Sequence, residues 1–257
     1  MAGNDVLAGG EADDCLVGDP VKQFEGCFYL TPTGEAGNDT LVGDRGDDSL
    51  WGLGGDDHYV GGPGEDTAGF FHSPSGVTVD LGSGQASGEG SDSLRWIEIV
   101  RGSQFDDVLT GDEGDNVLDG GRGADTLRGA GGNDALVVGG PEADAVEGGA
   151  GSDTAQYQCS GSGIALQVDL QAGTDSIGNT LIEVENVSVG GCLAAVAGDD
   201  GPNRIVAAGE LAGRGGDDVL LGGYSDDVLN GGDGNDVLDG RGGTDACTEG
   251  ETVVRCE

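Results

Sequence analysis

The chain repeats itself every nine residues, in the pattern Gly-Gly-x-Gly-x-Asp-x-aliphatic-x. Four such units run without a gap from Gly34 to Gly69, as GEAGNDTLV, GDRGDDSLW, GLGGDDHYV and GGPGEDTAG. A second array starts at Gly102 and a third near Gly213. A unit this short cannot bury a core alone, so its neighbours must stack on it. Glycines at places one, two and four let the backbone adopt positive φ and turn sharply. Place six then adds a carboxylate. Place eight carries a lone inward side chain between outward ones, as strand alternation requires: Leu41, Leu50, Tyr59, Leu109, Leu118, Leu127, Leu136, Leu220, Leu229 and Leu238. Each unit therefore reads as one turn and one strand of about three residues.

If one unit gives one turn and one strand, two units close a coil and unit i stacks on unit i+2. Asp236 then faces Asp218, Asp227 faces Asp245, and Asp125 lies between Asp107 and Asp144. Place six is held by Asp5, Asp14, Asp39, Asp48, Asp57 and Asp66 in the first array. In the second it is held by Asp107, Asn116, Asp125, Asp134, Asp144 and Asp153, with Val138 one residue in excess, read as a bulge. In the third it is held by Asp218, Asp227, Asp236 and Asp245, after a weak unit from Gly198 with Asn203 at place six and a short stretch from Ala207 to Ala212. Stacked carboxylates beside turn carbonyls suit a hard cation with six to eight oxygen ligands, and calcium tolerates the irregular geometry. These place-six residues, Asn203 excepted, are the candidate metal ligands, for several calcium ions. Asn116 and Asn203 keep an oxygen but lose the charge, so weaker or absent binding is expected there.

Composition agrees. Against 49 acidic residues stand 10 basic ones, a formal charge of -39, with only 4% aromatic residues. Such a chain repels itself and should not collapse unaided; cations between turns would cancel the charge and supply folding energy. Scarce Lys and Arg argue against nucleic acid as a partner. No run of about eighteen apolar residues exists to span a membrane, and a monomer is expected.

The three phased arrays resemble the haemolysin-type calcium-binding repeats of RTX proteins, over roughly three quarters of the chain. That resemblance implies an all-β fold, a right-handed parallel β-roll or β-helix solenoid of short strands with calcium-binding Gly-Asp turns. One continuous solenoid is expected: residues 1–69 as the first array, with an insert at about 20–35; 70–101 as spacer coils; 102–156 as the second array; 157–197 as spacer coils; 198–248 as the third array; and 249–257 as a closed tail. The spacers resemble each other. GVTVDL (76–81) and LRWIEIV (94–100) match ALQVDL (165–170) and LIEVENV (181–187). Alternation at Val77, Val79 and Leu81, and at Leu166, Val168 and Leu170, reads as half-buried strands in coils that continue the stack. Glu98 and Glu185 hold equivalent places, as ligands or, the blander reading, as solvent-facing strand residues.

Six cysteines bracket the places where the ladder stops. Sequence alone leaves fifteen connectivities open, and the bracketing favours Cys15 with Cys27, Cys159 with Cys192 and Cys247 with Cys256; Cys247, at an inward eighth place, is the best candidate for a free thiol. Disulfides persist in oxidising compartments, so a secreted, extracellular chain is expected, although residues 1–20 contain no signal-like apolar stretch.

No catalytic constellation emerges. His58 and His72 are the only histidines, neither in an HExxH motif, and no nucleophile elbow has triad partners. An enzyme is not expected. The leading function is an extracellular calcium module that folds on binding; alternatives are the C-terminal module of a larger secreted hydrolase or a repeat adhesin segment, for which Trp51 would mark a contact patch if it does not pack on the 20–33 insert. Place three, with Arg45, Gly54, Pro63 and Gln104, is too irregular for an ice-binding face.

Overall fold

The computed structural model describes residues 6–10, 15–17, 37–159 and 166–256. Among them there is no helix, and nearly all strands pair in parallel. The chain forms two compact units, Met1–Gly132 and Asn133–Glu257. Asp5, Asp14, Cys27 and the insert lie outside the described residues.

In the first unit the strands fall into two ladders, because alternate nonapeptides pair. Val6–Gly10, Thr40–Asp44, His58–Val60 and Ser91–Arg95 follow one another in one ladder. Cys15–Val17, Ser49–Trp51, Thr67–Gly69, Ile99–Arg101 and Val117–Asp119 form the other. Thr40 pairs with His58 and Ser49 with Thr67, eighteen residues on, as two units per coil require. Every place-eight residue named above is 0% exposed. Each such leucine contributes roughly 2 kcal/mol by leaving water, and the stack repeats that gain coil after coil. Trp51 lies over Gly69, where a Cβ would stand 2.4 Å from its ring, and beside His72, with ring centroids 6.3 Å apart.

The second unit has the same plan with two longer strands. Asn186–Ala197 and Arg204–Gly215 pair in parallel over both halves of their length. The first halves continue to Val219–Leu221, Val237–Asp239 and Thr252–Val254. The second halves continue to Val228–Asp233 and Ala246–Thr248. Val138 is not a bulge: Ala135–Val138 stays in register with Thr154–Gln158 up to Val138 opposite Tyr157, so the extra residue lengthens the strand and buries one more side chain.

The spacers depart from simple longer coils. Thr78–Asp80, Gln85–Ser87 and Ser91–Arg95 form an antiparallel meander, while Thr78–Asp80 also pairs in parallel with Val108–Thr110. Leu166–Asp169, Thr174–Asp175 and Thr180–Ile182 repeat that arrangement, with Leu166–Asp169 parallel to Asn186–Ala197. The stack thus continues, with one reversed strand inserted into each spacer. Val77, Val79, Leu166, Val168 and Leu170 are buried and Leu81 is half-buried, as the alternation predicts.

Cys159 is bonded to Cys192, and Cys247 to Cys256, the two pairs that the bracketing favours, and Cys247 is not free. The Cys15 pairing lies outside the described residues.

Candidate metal centre

Place six is buried throughout. From Asp39 to Asp245, every described aspartate and asparagine at place six of the arrays is 3% exposed or less, which rules out a merely solvated acidic surface. The i, i+2 stacking explains how. Asp39 N donates to Asp57 Oδ1 at 2.8 Å, and Asp48 N to Asp66 Oδ1 at 2.9 Å. The same bond joins Asp107 to Asp125, Asp134 to Asp153, Asp218 to Asp236 and Asp227 to Asp245. One carboxylate oxygen of each coil therefore caps the backbone of the coil before it.

The spacers contribute to the same ladder. Glu98 Oε2 accepts from Asp66 N at 2.9 Å and Glu185 Oε2 from Asp153 N at 2.8 Å, so both stand in the stack, and the solvent-facing alternative falls. Asp92, Asn179 and Glu251 hold the same place, accepting from Asp57, Asp144 and Asp236 N. These three were not read from the sequence. The signal for Asp92 was present, since Ser87–Arg95 reads SGEGSDSLR, a nonapeptide with serine at place one. Asn179 and Glu251 carry too few of the glycines to be recognised. The two spacers are equivalent in detail: the offsets from array to spacer are 35 and 32 residues in both.

A second, outer ladder runs through place five in the opposite direction. Asn38 Oδ1 accepts from Asp56 N, Asp47 Oδ1 from Glu65 N and Asp226 Oδ1 from Thr244 N, each eighteen residues on. This accounts for the recurring Asn-Asp and Asp-Asp pairs.

The second oxygen of place six is the unusual one. In Asp66, Asp92, Asp218 and Asp236, Oδ2 is buried without a hydrogen-bond partner. In Asp66, Asp218 and Asp236 it points at the place-one glycine of its own unit. A Cβ on Gly213 would stand 2.1 Å from Asp218 Oδ2 and 2.4 Å from the carbonyl of Gly231 in the next stacked turn. On Gly231 it would stand 2.4 Å from Asp236 Oδ2 and 2.1 Å from the Glu249 carbonyl; on Gly61, 2.5 Å from Asp66 Oδ2 and 2.1 Å from the Trp96 carbonyl. Place one is therefore glycine for space. Positive φ falls instead at places two and four, as in Gly62, Gly121, Gly55 and Gly216, and even Asp44, Leu53 and Arg214 adopt it at place two.

An anionic oxygen and a carbonyl converging with no donor between them is a cation site in its electrostatics. Burial, the leading cause, pushes the carboxyls of Asp92 and Asp218 up to about 6, and those of Asp66, Glu98 and Glu185 up as well. A bound cation would reverse that shift. Among the described residues no three His, Cys, Asp or Glu side chains gather about one point. A calcium ion here would draw on turn carbonyls as well as place six, and the residues fit that demand best at Asp66, Asp92, Asp218 and Asp236.

Other turns are satisfied by the protein itself. Ser103 N and Oγ donate to Asp107 Oδ2 and Oδ1, at 2.6 and 2.8 Å. Gly223 N donates to Asp227 Oδ2 at 2.6 Å. The two asparagines are explained by the coil beneath them. There the N–H of Glu98 is engaged by Asp66 O and that of Glu185 by Asp153 O, and each glutamate presents its carbonyl upward. Asn116 and Asn203 donate their amide NH2 to those carbonyls, at 3.4 and 2.8 Å, and accept from Asp112 and Asp199 N. A carboxylate in that position would meet a carbonyl with nothing between them.

The fold and the turns define a parallel β-solenoid whose stacked Gly-Asp turns are built to hold hard cations. The chain belongs to the family of the RTX calcium-binding nonapeptide repeat (4 copies), whose model matches residues 1–20, 33–68, 101–136, 137–155 and 213–246, more than half of the chain. It is therefore a calcium-binding repeat module, and its two described disulfides fit an extracellular setting. Comparison with curated proteins returned no match. No helix among the described residues is long and apolar enough to cross a membrane.

Proposed function

We propose that this chain is an extracellular module that holds several calcium ions between its stacked turns and depends on them to fold. The observation that carries this reading is the buried Oδ2 of Asp66, Asp218 and Asp236, without a hydrogen-bond partner and facing the space kept by a place-one glycine. Leaving a buried carboxylate uncompensated costs several kcal/mol per site, whereas extracellular calcium modules bind at about 0.1 to 1 mM. The module therefore folds where calcium is plentiful and not where it is scarce. Its role is structural rather than catalytic: His58 Nδ1 is hydrogen-bonded to Ser93 Oγ and His72 lies edge-on to the Phe71 ring, which leaves the two histidines tied into the surface of the solenoid.

Equilibrium dialysis against calcium, with metal quantified per chain, tests the reading. More than one ion per chain is expected, with little competition from magnesium, which dehydrates reluctantly and demands regular octahedral geometry. One ion or none at millimolar calcium would overturn it.

A further inference from the structure

One stretch of the second unit is built without places for calcium. At Asn203 the place-six side chain is an amide whose oxygen accepts from Asp199 N at 2.8 Å and whose nitrogen donates to Glu185 O at 2.8 Å. The next coil is three residues short, and its place six is Gly209, whose N–H donates to Asp227 Oδ1. No carboxylate stands there at all. The place-one carbonyl is also occupied. At Gly231 that carbonyl faces the unpartnered Asp218 Oδ2, but at Gly198 it accepts from Arg214 Nη1 at 2.7 Å. The same guanidinium grips Asp169 through both nitrogens, at 2.7 and 2.8 Å, and holds that carboxyl down at about 2.

We propose that the stretch from Asn186 to Gly215 is a calcium-independent seed of the solenoid, in which the guanidinium of Arg214 and the amide of Asn203 do the work that a metal ion does in the other turns. The proposal rests on the calcium-dependent folding argued above. Three further features support it. The two strands of the seed are the longest in the described chain, with twelve residues each. They bury apolar side chains in both halves of their length, among them Val187, Val196, Ile205 and Leu211. The Cys159–Cys192 bond ties one of them to the end of Thr154–Gln158, the strand paired beside it. Such a seed would remain ordered at low calcium and give the metal-dependent coils a template on which to add turns as calcium rises. This follows the nearest-neighbour logic of stacked repeats.

Hydrogen exchange of the full chain, disulfides intact, tests this in excess chelator and again in saturating calcium. In chelator, amides of 186–197 and 204–215 should exchange more slowly than those of 219–221 and 237–239 by about an order of magnitude or more. In calcium all four segments should be protected. Arg214→Ala should abolish the difference in chelator while leaving protection in calcium. Asp169→Asn, which only loosens the guanidinium, should reduce the difference in part, and it decides the matter if Arg214→Ala does not fold in either condition. Uniformly fast exchange in chelator with full protection in calcium would overturn the seed and leave calcium-dependent folding intact. Uniformly slow exchange in chelator would overturn both. Native-like protection in Arg214→Ala, or in Asp169→Asn where that variant decides, would overturn the role of the guanidinium.

Discussion

Removing calcium should strip this chain of most of its β-structure, leaving order chiefly in the stretch 186–215. With a formal charge of -39 and a ladder of buried carboxylates, the metal-free fold is opposed both by long-range repulsion and by the local desolvation of each place-six group. Hydrophobic burial cannot compensate fully, because each coil buries only two place-eight side chains, several of them alanines such as Ala68 and Ala155. Metal binding is then folding free energy, as in other small metal-dependent domains. Far-UV circular dichroism in chelator should show a largely disordered chain, and calcium addition should restore the β-signal with a midpoint at or below about 1 mM. A compact, cooperatively melting protein in excess chelator, with its disulfides reduced, would contradict this.

Gly213→Ala should be among the most damaging single substitutions. Its φ is ordinary, so the damage comes from space: the new Cβ would sit 2.1 Å from Asp218 Oδ2 and 2.4 Å from the Gly231 carbonyl, the two oxygens the turn brings together. One of them must move. Overpacking of this kind costs roughly 1 to 3 kcal/mol, and the displaced oxygen also weakens the site. The calcium midpoint should therefore rise about tenfold for each 1.4 kcal/mol lost. Gly215→Ala is the control two residues on, where the nearest atom would be 3.8 Å away and the calcium titration should barely change. Equal effects from the two substitutions would mean that place one is glycine for some reason other than the carboxylate.

Much of this was legible in the sequence because two periods coincide. Strand alternation fixed place eight as inward, and all ten residues read that way are fully buried, from Leu41 to Leu238. The eighteen-residue coil fixed which aspartates stack, as the Asp218–Asp236 and Asp227–Asp245 bonds show. What escaped depends on backbone direction. Asn116 and Asn203 look like weakened aspartates until the upward carbonyls of Glu98 and Glu185 are seen beneath them. Asp92, Asn179 and Glu251 enter the ladder through a reversed strand or a shortened tail turn, which breaks the nine-residue count while keeping the stacking. The reason for glycine at place one was also hidden, since a sequence shows that a side chain is absent and not what would collide with it.

The most direct test is a crystal structure of the chain grown in calcium, with the ions located by their anomalous scattering. A calcium ion should lie beside the Asp218 carboxylate and the Gly231 carbonyl, and an equivalent ion should lie beside Asp236 and the carbonyl of Glu249, while the gap spanned by Arg214 at Gly198 should hold none. Calcium bound only on the outer surface, with water donating to Asp218 Oδ2 and Asp236 Oδ2, would contradict the account.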